Sequence, residues 1–165
     1  MSDDASERLV HGLVERGLRI GVAESLTGGA LIAELVRIPG ASETVNGGIV
    51  AYATELKHRL LGVDAGLLSV RGAVDADVAR QMADGVRRAC ALGGIPAELG
   101  VATTGVAGPD PQDGKAPGTV FLGIASPRGI RSLALELDGD RAEVRAETVR
   151  RAVDALLEEL EELAR

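Results

Sequence analysis

Residues 18–36 read Leu-Arg-Ile-Gly-Val-Ala-Glu-Ser-Leu-Thr-Gly-Gly-Ala-Leu-Ile-Ala-Glu-Leu-Val, and this stretch decides the fold. Leu18 to Ala23 is a short apolar run suited to a buried strand. Leu31, Ile32, Leu35 and Val36 recur at helical spacing, and Pro39-Gly40 closes that helix. Between them, Glu24-Ser25-Leu26-Thr27-Gly28-Gly29 makes a strand-to-helix junction. Working outward, the same alternation repeats. Residues 5–16 predict a helix with Leu9, Val10, Leu13 and Val14 on one side, stopped by Gly17. Ile49 to Tyr52 predicts a second strand, leading into a helix over about 54–61. Asp75 caps a helix over about 76–92, with Val78, Ala79, Met82, Val86 and Cys90 inward. Leu99 to Thr104 is a third strand, followed by a Gly/Pro/Asp-rich loop from Gly105 to Gly118. Residues 119–125 and 130–137 predict a hairpin turning at Pro127-Arg128-Gly129. A last helix over about 141–163 buries Val149, Val153, Leu156, Leu157 and Leu160, with Glu158, Glu159, Glu161 and Glu162 as a solvated face. Strands alternating with helices, then one late hairpin, imply an α/β fold. The expected architecture is a three-layer α/β/α sandwich on a mostly parallel, mixed sheet. In such sheets the loops after strand C-termini form the site.

The chain has 165 residues, 45% hydrophobic and 26% charged, which suits one domain over residues 1–165. Its net charge of −7 and 1% aromatic content argue against nucleic acid as a ligand. One cysteine, Cys90, rules out an intramolecular disulfide or a cysteine-based zinc cluster. The start, Met1-Ser2-Asp3-Asp4, reads as no signal peptide, and no apolar run reaches the ~18 residues of a membrane span. A cytoplasmic protein without a membrane partner is expected, and a homo-oligomer. His11 and His58 lack metal-ligand spacing, so no metal site is expected.

Four segments carry chemistry. Gly28-Gly29 at the helix start lets backbone N–H groups approach a negative ligand, and Ser25 sits where a nucleophile or a phosphate-binding hydroxyl would sit; an ordinary helix start capped by Ser25 or Thr27 fits equally. The flanking residues exclude the Gly-x-Ser-x-Gly elbow. Gly47-Gly48-Ile49-Val50-Ala51-Tyr52 delivers Tyr52 to the sheet edge, and the next helix turn presents Lys57. Only two of the 18 basic residues are lysines, Lys57 and Lys115, so a lysine here is not casual filler. An amine beside a serine hydroxyl serves as a base if its pKa is lowered. Thr103-Thr104-Gly105-Val106-Ala107-Gly108 ends a strand in two hydroxyls and a turn able to supply oxyanion donors or hold phosphate. Gly108 to Ala116 only superficially matches a P-loop, with five intervening residues and Ala116 where Ser or Thr is needed. Asp138-Gly139-Asp140-Arg141 opens the last helix, and Arg141 there opposes the helix dipole, which suggests an anion partner.

Together these segments resemble the C-terminal domain of the competence-damage-inducible protein CinA, whose standalone form is a nicotinamide-nucleotide amidohydrolase. The matching residues are Ala-Glu-Ser-x-Thr-Gly-Gly at 23–29, Pro-Gly-Ala-Ser at 39–42, Gly-Gly-Ile-Val-Ala-Tyr at 47–52 and Lys57. Further matches are Leu-Leu-Gly-Val at 60–63, Gly-Ala-Val at 72–74, Thr-Gly-Val-Ala-Gly-Pro-Asp at 104–110, Pro-Gly-Thr-Val at 117–120 and Gly-Asp-Arg at 139–141. The resemblance implies hydrolysis of nicotinamide mononucleotide to nicotinate mononucleotide and ammonia, without metal or other cofactor. Ser25 would be the nucleophile and Lys57 the base. Tyr52 would bond Ser25 or relay a proton, and Thr104 or the Gly105 N–H would meet the oxyanion or the amide. Glu24, Thr27, Gly28, Gly29 and Arg141 would bind substrate, the last four through its phosphate. The sequence departs from the family at Leu26, usually Cys, at Ala53-Thr54, usually Ser-Asn, and at Pro111-Gln112-Asp113, usually richer in Gly. The competing function is a non-catalytic module that binds a phosphorylated nucleotide or a protein in competence or DNA-damage response. Binding alone needs neither a nucleophile nor a base, so Ser25 with Lys57 favours the enzyme.

Overall fold

The computed structural model describes residues 4–165; residues 1–3 of the start read above as no signal peptide lie outside the described residues. In chain order the elements are α1 (Ala5–Glu15), β1 (Ile20–Glu24), α2 (Ala30–Val36), β2 (Val45–Val50), α3 (Thr54–Leu61), α4 (Ala65–Arg71), α5 (Ala76–Ala89), β3 (Leu99–Gly105), β4 (Thr119–Ser126), β5 (Gly129–Glu136) and α6 (Arg141–Glu162). The five strands form one sheet in the order β2-β1-β3-β4-β5. β2, β1 and β3 run parallel, and β4 and β5 add an antiparallel hairpin. Two core clusters, one on each face, make the α/β/α layering. On one face Ile20, Val22, Leu99, Val101, Leu122 and Ile124 pack beneath α1, α2 and α6. On the other, Ala23, Ala102 and Ala125 meet Val78, Met82 and Val86 of α5.

The two faces are built from different residue sizes. Large aliphatic side chains fill the α1/α2/α6 side. On the α5 side, Gly21, Gly100 and Gly123 lie against the carbonyls of Val86, Ala83 and Ala79, so a Cβ at any of them would run into α5 backbone. α5 therefore lies close on the sheet, and the strand ends beyond it stay in fixed register. β1 is left toward β2 and β3 toward β4, in opposite directions. The crevice at their carboxyl ends is thus the switch point where α/β sheets place ligands.

Several elements differ from the sequence reading. β2 starts at Val45 and stops at Val50, not at 49–52. Gly47-Gly48 conceals its first half; Cys90 Sγ packs over Gly47, and a Cβ at Gly48 would run into the Ile32 side chain. α4 has no counterpart in the reading. It is only seven residues long, with Asp64 accepting from Leu67 N–H at one end and Gly72 at the other. Val36, which shares the helical spacing of Leu31, Ile32 and Leu35, is exposed. Glu159 is buried rather than solvated, bonded by Ser126 Oγ and by Arg131 Nε at 3.0 Å. Among the described residues, no helix is long and apolar enough to cross a membrane.

Candidate active site

The parallel strands set the site. Just past β1, the Ser25 N–H donates to Thr103 O at 3.0 Å; just past β2, the Ala51 N–H donates to Glu24 O at 2.8 Å. The chain beyond each strand thus stays laced to its neighbour while turning into a helix. A cavity of about 310 Å³ opens there, lined by Ser25, Leu26, Tyr52, Ala73, Thr104, Gly105 and Arg141 among others. That is the low end of the size range of small-molecule sites.

Lys57 stands in the first half of α3 and reaches back under the Ala51–Ala53 turn. Its side chain is 1% exposed. Nζ lies 2.9 Å from Ser25 Oγ, 2.7 Å from Ala51 O and 3.4 Å from Tyr52 O. A neutral amine has two N–H donors and one lone pair. Two carbonyls take the donors, which leaves the lone pair for the Ser25 hydroxyl. Among the described residues no carboxylate forms an ion pair with Lys57. Burial pushes its pKa down from 10.5 to about 8, against a smaller upward pull from Asp113. At neutral to mildly alkaline pH an appreciable fraction of Lys57 is therefore an unprotonated amine facing a hydroxyl, the pairing that nucleophilic catalysis requires.

The other expected site residues are placed differently from one another. Thr104 lines the cavity, but its hydroxyl proton is donated to Ala73 O at 2.7 Å. Its oxygen is left to accept, which suits an amide NH₂ and not an oxyanion. Gly105 lines the cavity, and a Cβ there would press on Thr119 O and Val120. Arg141 reaches the cavity rim from the start of α6, donating to Gly108 O at 2.7 Å and to the Tyr52 hydroxyl at 3.2 Å. Those contacts account for an arginine beside the Asp140 capping box. Tyr52 bears on the pair differently than expected. Its carbonyl accepts from Lys57, while its ring is 60% exposed and its hydroxyl sits with Arg141, not with Ser25.

Four of the expected substrate-binding residues are not on the cavity wall. Glu24 is buried, and its carboxylate accepts from the N–H groups of Gly29 at 3.1 Å, Leu31 at 3.0 Å and Ile32 at 2.9 Å. This corrects two expectations at once. Glu24 is not turned to substrate, and the α2 N-terminus that Gly28 and Gly29 were expected to offer a phosphate already holds a carboxylate. Thr27 is fully buried, its hydroxyl 2.8 Å from that of Thr103. What the sequence reading missed is Arg145, one helical turn beyond Arg141. Its Nε donates to Leu26 O at 2.9 Å and its Nη2 to Thr27 O at 3.1 Å. The only local signal was its i+4 spacing from Arg141. A second omission is the pair of N–H groups on Leu26 and Thr27, which find no acceptor among the described residues. The one on Leu26 adjoins the nucleophile, on a residue that lines the cavity. Among the described residues, no group of three His, Cys, Asp or Glu side chains is placed to hold a metal ion.

Comparison with known proteins identifies the family and the fold. The family model described as CinA C-terminal domain matches residues 2–160. A CinA-like protein of Frankia casuarinae is 47% identical over 154 residues, covering 93% of this chain but 34% of that protein. A CinA-like protein of Gemmatimonas aurantiaca is 41% identical over 155 residues, with 35% of its length covered. The chain thus spans about a third of the length of the curated relatives it matches. Solved structures match end to end. A competence-damaged protein (CinA) superfamily protein from Klebsiella pneumoniae superposes with a TM-score of 0.89 at 31% identity, with 96% of each chain covered. The competence/damage inducible protein CihA from Agrobacterium tumefaciens gives 0.81 at 32% identity, with 95% of this chain and 96% of that one covered.

Proposed function

The chain belongs to the CinA C-terminal domain family, and from that premise and the site geometry we propose that it is an amidohydrolase that converts nicotinamide mononucleotide to nicotinate mononucleotide and ammonia. The observation that carries the proposal is the Lys57 amine, buried, in no ion pair among the described residues, and 2.9 Å from the Ser25 hydroxyl. In this reading Ser25 Oγ attacks the carboxamide carbon while its proton passes to the Lys57 lone pair. The carbonyl oxygen becomes an oxyanion facing the Leu26 N–H. Collapse breaks the C–N bond, and the nitrogen leaves as ammonia with the proton held by Lys57. The ester on Ser25 is then opened by water, which gives a proton to Lys57; that proton returns to Ser25 Oγ as nicotinate departs. Thr104 Oγ accepts from the amide NH₂ and so orients the carbonyl away from it.

With the α2 N-terminus closed by Glu24, contact with the 5′-phosphate falls to Arg141 at the rim. Each charge-assisted bond of this kind contributes about 1.5–3 kcal/mol. The test is ammonia release by purified protein from nicotinamide mononucleotide, with free nicotinamide and asparagine alongside. Turnover of the mononucleotide with little or none of the other two is expected. No release from the mononucleotide would refute the activity; equal turnover of nicotinamide would refute phosphate recognition.

A further inference from the structure

Three successive peptide planes after the nucleophile are each held by a specific donor. The Ser25 carbonyl accepts the Gly28 N–H at 3.1 Å, and the Leu26 and Thr27 carbonyls accept the two arms of Arg145. In a trans peptide the C=O and N–H point in opposite directions, so pinning a carbonyl fixes the N–H of the next residue. Holding Leu26 O therefore holds the Thr27 N–H, and holding Ser25 O holds the Leu26 N–H. These are the two N–H groups without an acceptor among the described residues. Among the described residues Arg145 forms no ion pair, and its hydrogen bonds are the two to main-chain carbonyls. Both bonds bridge about 120 positions of sequence to the turn beside Ser25. Thr27 O also accepts the Ala30 N–H at 3.1 Å, whereas Leu26 O has no donor but Arg145 among the described residues, so without the fork the middle plane of the turn loses its hold and the turn that carries the Leu26 N–H loosens.

We infer that Arg145 is a positioning residue that holds the turn after Ser25 in the orientation that aims the Leu26 N–H at the oxyanion. It touches no substrate and acts through the backbone of residues 26 and 27. The inference rests on the amide-hydrolysis reading, in that an oxyanion must form on a substrate carbon attached to Ser25. Guanidinium matters for its shape as well as its charge, because a lysine ammonium is a point donor and cannot hold two carbonyls as a planar fork does.

The experiment compares wild type, Arg145→Lys and Arg145→Met, each shown folded by circular dichroism, in two assays. The first is steady-state ammonia release from nicotinamide mononucleotide. The second is the rate of Ser25 labelling by a fluorophosphonate, whose P=O needs the same donor without any nicotinamide specificity. The expected result is a kcat lowered about 10- to 100-fold in Arg145→Met with KM within about threefold, and a similar fall in labelling rate. Arg145→Lys should recover only part of either loss. Wild-type kcat and labelling in a folded Arg145→Met would overturn the inference. So would a loss confined to KM, which would make Arg145 a substrate contact. Should Arg145→Met not fold, a folded Arg145→Lys with wild-type rates overturns it equally. If wild type releases no ammonia from the mononucleotide, the activity reading fails on its own. The labelling rates of the variants then still decide the role of Arg145.

Discussion

Glu24, the last residue of β1, and Lys57, in the helix that follows the adjacent parallel strand β2, are each 1% exposed and are among the largest fully hidden side chains of the described residues. They have opposite fates. The Glu24 carboxylate meets three backbone N–H groups of α2, so its negative charge is offset where it stands. Lys57 meets two carbonyls and one hydroxyl, and among the described residues no carboxylate lies at contact distance to offset its positive charge. Burial alone does not tell a structural ionisable residue from a reactive one; the partner set does. Glu24 spends its charge on anchoring the helix behind the nucleophile. Lys57 is pushed toward the uncharged form that can take a proton.

Removing either member of the reactive pair should produce the largest effects. Ser25→Ala should lower ammonia release at least about a thousandfold while leaving thermal unfolding and product binding nearly unchanged, since the hydroxyl adds little packing. Lys57→Arg should cost at least about a hundredfold in kcat, because guanidinium stays protonated at any working pH. A lysine that served only as a charge would tolerate arginine within roughly tenfold, so near wild-type turnover by Lys57→Arg would erase the contrast with Glu24. Glu24→Gln should act mainly on the other side of the comparison. One amide oxygen would face three N–H groups, and the NH₂ would face donors, at a cost of about 1–3 kcal/mol in denaturant unfolding. Turnover below the unfolding transition should fall less than about tenfold. A Glu24→Gln protein as stable as wild type but inactive would move Glu24 into the chemistry.

Much of this was legible in the sequence, and the limits have physical causes. The junction at Ser25 and the helix over Thr54–Leu61 were readable because strand and helix periodicities meet sharply there. Lys57 stood out because the chain otherwise writes its basic residues as arginine. Asp75 announced α5 because its side chain does cap Asp77 and Val78. By contrast, α4 is too short for periodicity to register, and Gly47-Gly48 masks the start of β2 because the side chains that pack over these glycines, Cys90 and Ile32, lie elsewhere in the sequence. The partners of Glu24 were illegible for a related reason. A carboxylate one residue before the nucleophile suggests substrate contact, while its real acceptor role depends on the path of α2. Arg145 is a contact between opposite ends of the chain, which no local pattern encodes.

The proton balance of Lys57 also sets a direction for stability. Its pKa is lowered from 10.5 to about 8 on folding, so between those values the unfolded chain holds a proton that the folded protein lacks. Stability contributed by this group therefore rises with pH through that window, and the cost of burying it is fully present below about pH 8. The direct measurement is NMR of protein labelled with ¹³Cε-lysine. The chain has only Lys57 and Lys115, so the spectrum holds two side-chain signals, assigned by the one missing from Lys57→Arg. The Lys57 signal should titrate with a midpoint near about 8. A midpoint at the ordinary value of 10.5 would mean a protonated lysine at working pH, and would contradict its role as the base.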